Sequence, residues 1–128
     1  MADVKISPEW KQLLEAEFAM NYFDELSNRV RDEYLSMAVY PHPSRVFRAF
    51  EFVAPSDVRV VILGQDPYHT PGVVDGLAFS TLSDNPVPPS LQNIFKEIEL
   101  EYSTPCLKDP NLERWAKQGV LLLNATLT

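Results

Sequence analysis

Two short, almost entirely apolar runs constrain the fold more than any other feature of this chain. One covers residues 58–63, with the sequence VRVVIL, and the other covers residues 120–123, with the sequence VLLL. The first is rich in β-branched residues, which favour strands. Continuous apolar runs of this length are typical of parallel strands buried on both faces of a sheet. We therefore predict two fully buried parallel strands.

The segments around these strands have the apolar spacing of helices. A weaker strand is predicted at 77–80. Helices are predicted from Ser7-Pro8, over about 22–34, over 44–52, from Ser90 as a cap, and from Asp109-Pro110 to a stop at Gly119. This order of elements predicts an α/β fold, in which a parallel sheet has helices on both faces. In such sheets ligands bind at the carboxyl ends of the strands.

The size and charge of the chain limit the functions it can carry. Its 128 residues fit one domain. The net charge is −7, from 11 basic and 18 acidic side chains. A protein that gripped DNA mainly by neutralising phosphates would be basic instead. Any nucleic-acid function must therefore rest on a few local contacts, or on residues outside this chain.

The sequence also carries signals of location. Cys106 is the only cysteine, so no internal disulfide can form, which fits a reducing compartment. No run approaches the apolar length that spans a bilayer. The N-terminus lacks the basic start and the apolar run of a signal peptide. We therefore expect a cytoplasmic protein without a membrane partner.

Several common chemistries lack their motifs here. The four glycines never stand two apart, which excludes a G-x-G-x-x-G dinucleotide loop, and no Gly-Lys pair exists to form a P-loop. No G-x-S-x-G nucleophile elbow occurs. His42, His69 and Cys106 match no zinc-site spacing. The sequence therefore predicts no metal site.

The loop after the first predicted strand concentrates polar and aromatic residues. Residues 64–69 have the sequence GQDPYH. The glycine allows a close approach of the backbone to a ligand, and the proline stiffens the loop. Asp66-Pro67 by itself is a common turn starter, so a purely structural loop is the simplest alternative. A rigid loop that presents Gln, Asp, Tyr and His at a strand end is more typical of a functional site.

The loop at 64–69 resembles the water-activating loop of family 1 uracil-DNA glycosylases. Five further segments resemble the same family, in the same order along the chain. They are residues 39–41 (VYP), 46–50 (VFRAF), the uracil-stacking segment 76–80 (GLAFS), the DNA-backbone loop 86–91 (PVPPSL), and the helix and strand 115–124 (WAKQGVLLLN). The resemblance implies a three-layer αβα sandwich around a parallel sheet, present as a single partial catalytic domain over residues 1–128.

The resemblance also implies roles for individual residues. Asp66, as a carboxylate, would activate water and stabilise the sugar cation. Uracil would be bound by Gln65, Tyr68, Phe79 and Asn124. Among these, Phe79 would stack on the base, Tyr68 would exclude the thymine methyl group, and Asn124 would read the base edge. Taken singly, Phe79 would be interpreted as a core residue and Asn124 as a turn residue.

The remaining implied roles concern DNA and the loop itself. The DNA backbone would be contacted by Pro88, Pro89 and Ser90, although Ser90 alone would be interpreted as a plain helix cap. Loop support would come from Gly64, Pro67 and His69. The partners implied are uracil-containing DNA and an inhibitor protein of the family, and neither a metal nor an organic cofactor is implied. The longer enzyme would be a monomer.

Two other functions stay open at this level. The chain could be an inactive fragment that acts only as a partial uracil-binding, DNA-binding or assembly module. It could also belong to a relative in the wider superfamily with another base specificity, although Tyr68 and Asn124 argue against that reading. The main expectation is excision of uracil from DNA by hydrolysis of the N-glycosidic bond, the first step of base-excision repair.

The family pattern continues past the last residue, Thr128. A further strand, a Gly-Ser loop and a His-Pro-Ser loop are expected there, the last with the histidine that stabilises the uracil anion. His42-Pro43-Ser44 spells the same tripeptide but precedes the first strand, so we interpret it as a turn and a helix cap. A sheet that lacks a strand exposes an edge, through which copies of the chain are expected to associate.

Overall fold

The computed structural model describes residues 3–128, and its centre is a pair of parallel strands. Strand β1 covers Val60–Gly64 and strand β2 covers Val120–Asn124. Their register places Val60 beside Val120 and Gly64 beside Asn124. The prediction of two parallel strands is confirmed, and the register brings the two strand ends to the same edge.

Helices and helical turns account for most of the remaining regular structure. The bounds are α1 Pro8–Phe18, α2 Asn21–Ser36, α3 Pro89–Tyr102 and α4 Glu113–Ala116, with 3-10 turns at Pro43–Arg45, Arg48–Phe50 and Pro55–Asp57. The helices expected at 8–18 and near 22–34 are therefore present. None of these helices is both long and apolar enough to cross a membrane, within residues 3–128.

The hydrophobic core is built around β2. Leu121 and Leu122 point to opposite faces of the strand, and both are buried. The core cluster also takes in residues of α1, α3, α4 and the loops between them, namely Trp10, Ala49, Phe50, Val53, Leu77, Ala78, Leu91, Phe95, Leu112 and Ala116. The indole N–H of Trp10 donates to the carbonyl of Val53 at 2.7 Å, so this buried donor is satisfied. β2 is thus buried on both faces at Leu121 and Leu122, whereas Val120 and Leu123 are only half-buried, so the prediction of a fully buried strand holds for its centre alone.

The expectation that β1 is buried on both faces is wrong. Val61 and Leu63 are 58% and 65% exposed. Within residues 3–128, β1 pairs only with β2, so its other edge has no strand beside it. A strand needs neighbours as well as apolar residues to become buried, and β1 has a neighbour on one side only.

The strand predicted at 77–80 is a tight turn instead. Phe79 has a φ of 65°, which is incompatible with a strand. The N–H of Ser80 donates to the carbonyl of Leu77 at 3.2 Å, closing the turn, while the N–H of Ala78 donates to Leu122 of β2 at 3.0 Å. Bonds to distant residues therefore override the apolar pattern of this segment.

Several predicted helix starts also need correction. Ser90 is the second residue of α3 and not its cap, because Pro89 occupies the first position. The helix expected from Asp109 begins only at Glu113. Ser7 precedes α1 as predicted, but its hydroxyl is buried without a partner among the described residues.

The helix expected over 44–52 divides into two 3-10 turns. The first begins at Pro43, and the ring of His42 accepts a hydrogen bond from the N–H of Ser44 at 3.3 Å. The second covers Arg48–Phe50. The interpretation of His42-Pro43-Ser44 as a turn with a cap is confirmed.

The exposed strand β1 generates a prediction about association. We expect the 128-residue chain to self-associate with rising concentration, because an unpaired apolar edge pairs readily with another chain. Replacing Val61 with Lys should reduce the weight-average mass seen by light scattering. Replacing Leu35 with Lys, on the exposed surface of α2, is the matched control and should leave association unchanged. A monomer at every concentration would contradict the expectation.

Candidate active site

The carboxyl ends of β1 and β2 hold the candidate site together. The segments that follow the two strands leave the sheet side by side. They are linked by backbone hydrogen bonds from Ala125 N–H to the Gly64 carbonyl at 2.9 Å and from Thr126 N–H to the Gln65 carbonyl at 3.1 Å. The hydroxyl of Thr126 also donates to the Gln65 carbonyl, at 3.3 Å. The loop 64–69 and the segment after β2 therefore form one connected structure.

An open pocket of about 720 Å³ lies at these strand ends. Nine of the residues predicted from the sequence line it: Gly64, Gln65, Asp66, Pro67, Tyr68, His69, Phe79, Ser90 and Asn124. The pocket gathers side chains from positions 60 residues apart in the sequence. Its position agrees with the general rule for ligand sites in parallel α/β sheets.

Pro88 and Pro89, which were predicted with Ser90 to contact the DNA backbone, do not line the pocket. Pro88 caps α3 and Pro89 is its first residue, so they set the direction in which the helix begins. Ser90 lines the pocket and is exposed. The first turn of α3, whose free N–H groups attract anions, thus begins beside the pocket.

Tyr68 and Phe79 form the aromatic part of the pocket. The Tyr68 hydroxyl donates to the Phe79 carbonyl at 3.2 Å. Burial raises the pKa of the Tyr68 phenol above its usual value, which further favours the protonated hydroxyl that donates this bond. The hydrogen bond joins the loop 64–69 to the turn at 77–80.

Gly64 has a steric reason to be a glycine. A Cβ atom at this position would lie 2.2 Å from the side-chain oxygen of Asn124 and 3.1 Å from the Cβ of Ala78. The Asn124 amide therefore occupies the space that any other residue at position 64 would fill. The predicted role of Gly64 in the loop takes a sharper form here, because the missing side chain makes room for the amide.

Asp66 and His69 are exposed at the mouth of the pocket. Neither side chain has a hydrogen bond or ion pair with another residue of the described range 3–128. Both are therefore available to a ligand, in contrast to Tyr68, which is already engaged. Asp66 is the carboxylate that lines the pocket.

Five residues that line the pocket were not predicted as site residues. They are Ala38, Val39, Tyr40, Leu63 and Thr128. Tyr40 belongs to the segment 39–41 that resembles the family, and this was the available signal. The adjoining Pro41 is buried, and its carbonyl accepts a hydrogen bond from the Tyr34 hydroxyl at 2.5 Å. This bond ties the loop after α2 back to the helix itself.

No group of three or more His, Cys, Asp and Glu side chains suited to a metal ion occurs among the residues that the structure describes. The polar groups at the pocket are one carboxylate, two side-chain amides, one imidazole, backbone groups and the hydroxyls of Tyr40, Tyr68, Ser90 and Thr128. These groups can bind a planar polar ring by hydrogen bonds and stacking.

A pocket of this kind, at the ends of parallel strands and lined by a carboxylate, an amide and two aromatic rings, is typical of small-ligand sites in α/β proteins. A model of the uracil DNA glycosylase superfamily matches residues 50–128, which include the whole pocket except its segment at 38–40. The chain belongs to the uracil DNA glycosylase superfamily.

Relatives named uracil-DNA glycosylase match almost the entire chain. The protein from Flavobacterium johnsoniae is 51% identical over 126 residues, and the one from Borrelia turicatae is 48% identical over 128 residues. Each match covers 98% of this chain but 57% of the relative. The chain thus spans little more than half the length of these curated relatives.

Solved structures show the same fold. The crystal structure of mimivirus uracil-DNA glycosylase superposes with a TM-score of 0.86 at 27% identity, over 95% of this chain and 47% of that one. A mimivirus variant, UNG Y322F in complex with UGI, gives a TM-score of 0.85 at 28% identity, over 97% and 49% of the two chains. The expected fold, an incomplete α/β sandwich of the uracil-DNA glycosylase type, is confirmed.

The close approach of Gly64 and Asn124 generates a prediction. Replacing Gly64 with Ala should displace the Asn124 amide, because the new methyl group would overlap its oxygen. We expect the side-chain amide signals of Asn124 to shift in nitrogen-edited NMR spectra, at a cost of roughly 1–3 kcal/mol in the free energy of unfolding.

Gly72 supplies the matched control for this substitution. A Cβ there meets no atom within 4 Å, but its φ is +77°. Gly72→Ala should therefore cost stability through backbone strain while leaving the Asn124 signals in place. Unchanged Asn124 signals in the Gly64→Ala protein would contradict the steric account.

Proposed function

We propose that this chain carries the base pocket and the water-activating carboxylate of an enzyme that excises uracil from DNA, the first step of base-excision repair. The observation that supports this most is the convergence of Asp66, Tyr68, Phe79 and Asn124 on one pocket. The chain spans 57% of the length of a relative with that name, and the complete reaction is proposed to need the residues that the relative has in addition.

Asp66 is proposed as the catalytic group. Breaking an N-glycosidic bond leaves oxocarbenium-like positive charge on the sugar and negative charge on the departing base. A carboxylate at the pocket mouth, with no ion-pair partner among residues 3–128, stabilises that cation and orients or deprotonates the attacking water. His69, whose exposed side chain has no partner among residues 3–128, supports the loop in this scheme through the waters around it.

Base selection is assigned to the remaining pocket residues. The Asn124 amide accepts from N3–H of uracil and donates to O4, and cytosine presents the opposite pattern at both positions. Phe79 stacks on the base, and Tyr68 occupies the space that the thymine methyl group would need. Gln65 contributes at the loop that carries Asp66. A buried mismatch of hydrogen-bonding groups rejects an analogue by on the order of 10⁴-fold.

The DNA partner is proposed to reach the pocket through an everted base. Uracil within a duplex must leave the base stack before the pocket can hold it. Ser90 and the start of α3 would contact a backbone phosphate, with Pro88 and Pro89 setting the helix direction. Since the chain carries a net charge of −7, these DNA contacts are proposed to be few and local. A cytoplasmic location is proposed as well.

A second candidate function rests on the exposure of β1 and the openness of the pocket. The 128-residue chain by itself would then be a partial uracil-binding or assembly module without turnover. We also propose that the chain associates with copies of itself and that an inhibitor protein is a partner. The proposal of an inhibitor protein as a partner is supported by the solved structures of mimivirus UNG variants in complex with UGI, which have the same fold.

Asp66 provides the direct test of catalysis. The assay measures uracil release from a single-stranded oligonucleotide, by this chain alone and by this chain extended with the remaining part of the Flavobacterium johnsoniae enzyme. In the extended protein Asp66→Asn should lower the rate by roughly 10²- to 10⁴-fold. Asp84→Asn and His42→Ala, both outside the pocket, are the matched controls and should retain full activity.

The chain alone should release little or no uracil, because the anion-stabilising histidine is expected beyond Thr128. Clear turnover by the chain alone would show that this histidine is dispensable. Activity of the Asp66→Asn protein within a few-fold of the parent would remove Asp66 from the catalytic role.

Tyr68 provides the test of base selection. Binding of free uracil and free thymine to the 128-residue chain is followed by NMR titration. The chain should prefer uracil, and Tyr68→Ala should narrow the preference by roughly 10- to 200-fold, the range for one methyl-sized group. Tyr102→Ala, at the exposed end of α3, is the control and should change neither affinity. An unaltered preference for uracil over thymine after Tyr68→Ala would refute the proposal that Tyr68 excludes the thymine methyl group.

A further inference from the structure

Asp75 is a buried carboxylate to which the proposed chemistry gives no task. It is 1% exposed, and its side chain is fully enclosed. It lies two residues before the turn at 77–80 that carries Phe79, and Ser80 is the last residue of that turn. The Ser80 hydroxyl donates to one carboxylate oxygen of Asp75 at 2.7 Å. This hydrogen bond closes the turn from behind, across five residues.

Ser80 links the carboxylate to the core. While its hydroxyl donates to Asp75, its oxygen accepts the backbone N–H of Leu112 at 2.9 Å. Both Ser80 and Leu112 are buried, so neither bond is exchanged with water. The turn is therefore anchored to the segment that leads into α4.

Two arginines satisfy the charge of Asp75. One guanidinium nitrogen of Arg45 donates to the other carboxylate oxygen at 3.1 Å and to the Asp75 carbonyl at 3.2 Å. The Nε atom of Arg48 lies 3.5 Å from the same carboxylate oxygen, and its Nη2 donates to Glu113 at 2.9 Å. A buried carboxylate is tolerated when it is paired and hydrogen-bonded in this way.

Gly76 allows the turn to lie directly on the Arg45 backbone. A Cβ at position 76 would lie 2.4 Å from the Arg45 carbonyl oxygen, and the φ of Gly76 is +96°. The turn is therefore fixed on three sides, by Arg45, by Ser80 and by the contact of Ala78 with β2.

The fixed turn determines two walls of the pocket. Phe79 adopts a φ of 65°, a conformation that is unfavourable for a residue with a side chain unless its surroundings impose it. Its carbonyl in that conformation accepts the Tyr68 hydroxyl. A small space of about 10 Å³ is lined both by Asp75 and Ser80 and by four residues of the pocket, namely Asp66, Tyr68, Phe79 and Asn124.

We propose that Asp75 is a positioning residue for base selection, which holds Phe79 and Tyr68 in place through its hydrogen bond with Ser80. Asp75 touches neither the base nor the reacting atoms. It acts by stabilising the strained conformation of Phe79, which orients the stacking ring and supplies the acceptor for Tyr68. This role deepens the proposed function, because it presumes that the pocket binds uracil.

The test compares three substitutions in the 128-residue chain. Asp75→Asn removes the charge that pairs with Arg45 and Arg48, and Ser80→Ala is a milder variant that removes only the hydroxyl. Phe18→Leu lies in the contact between α1 and α2, where Phe18 packs on Phe23, and serves as a destabilised control. The first measurement is the ¹³Cζ shift of Tyr68, which responds to the hydrogen bond of its hydroxyl, in the absence of any ligand.

The second measurement is the affinity for free uracil. Asp75→Asn and Ser80→Ala should both shift the Tyr68 signal and weaken uracil binding by about tenfold, the equivalent of one hydrogen bond to a charged group. Phe18→Leu should do neither, even where its free energy of unfolding is as low as that of the other variants.

The outcomes separate this role from the proposed function. A Tyr68 signal that stays in place in both Asp75→Asn and Ser80→Ala, or that moves as far in Phe18→Leu, would overturn the positioning role. If the parent chain binds no uracil, the uracil-binding proposal fails for this chain, while the Tyr68 signal still decides whether Asp75 holds the walls. A shifted signal with undiminished uracil affinity would also overturn the role in base selection.

Discussion

The parallel pairing of β1 with β2 is the interaction on which the rest of the structure depends. Its register sets Gly64 beside Asn124, and the pocket begins where both strands end. A slip of one residue would turn every side chain of a strand to the opposite face of the sheet. Buried Leu121 and Leu122 hold β2 in place on both faces, so the core of the molecule also fixes the geometry of its site.

Much of the site could be predicted from the sequence, because its residues lie in short motifs at strand ends. Nine of the predicted residues line one pocket, and the two strands differ from their predicted bounds by two residues or fewer. The errors arise where distant contacts decide the local structure. The turn that carries Phe79 depends on Asp75, Ser80 and Leu122, and no pattern within residues 77–80 reveals those bonds.

The charged residues of this chain have two different roles, which the overall composition does not distinguish. Asp75, Arg45 and Arg48 are charged residues that serve the interior, while Asp66 faces the pocket without a partner among residues 3–128. Counting charges along the chain does not distinguish these two situations. Burial and hydrogen bonding do, since a carboxylate enclosed by guanidinium groups stabilises a fixed geometry and an exposed one remains open to a ligand.

The backbone hydrogen bonds between the two strand ends have a consequence for synthesis. The carbonyls of Gly64 and Gln65 accept hydrogen bonds from the N–H groups of Ala125 and Thr126, which are synthesised 61 residues later. Translation proceeds at about 5–20 residues per second, so several seconds separate the two halves of the pocket. During that interval the loop with Asp66 has no sheet partner. The pocket therefore forms only after β2 has left the ribosome. A formed pocket thus requires that the carboxyl ends of β1 and β2 have paired.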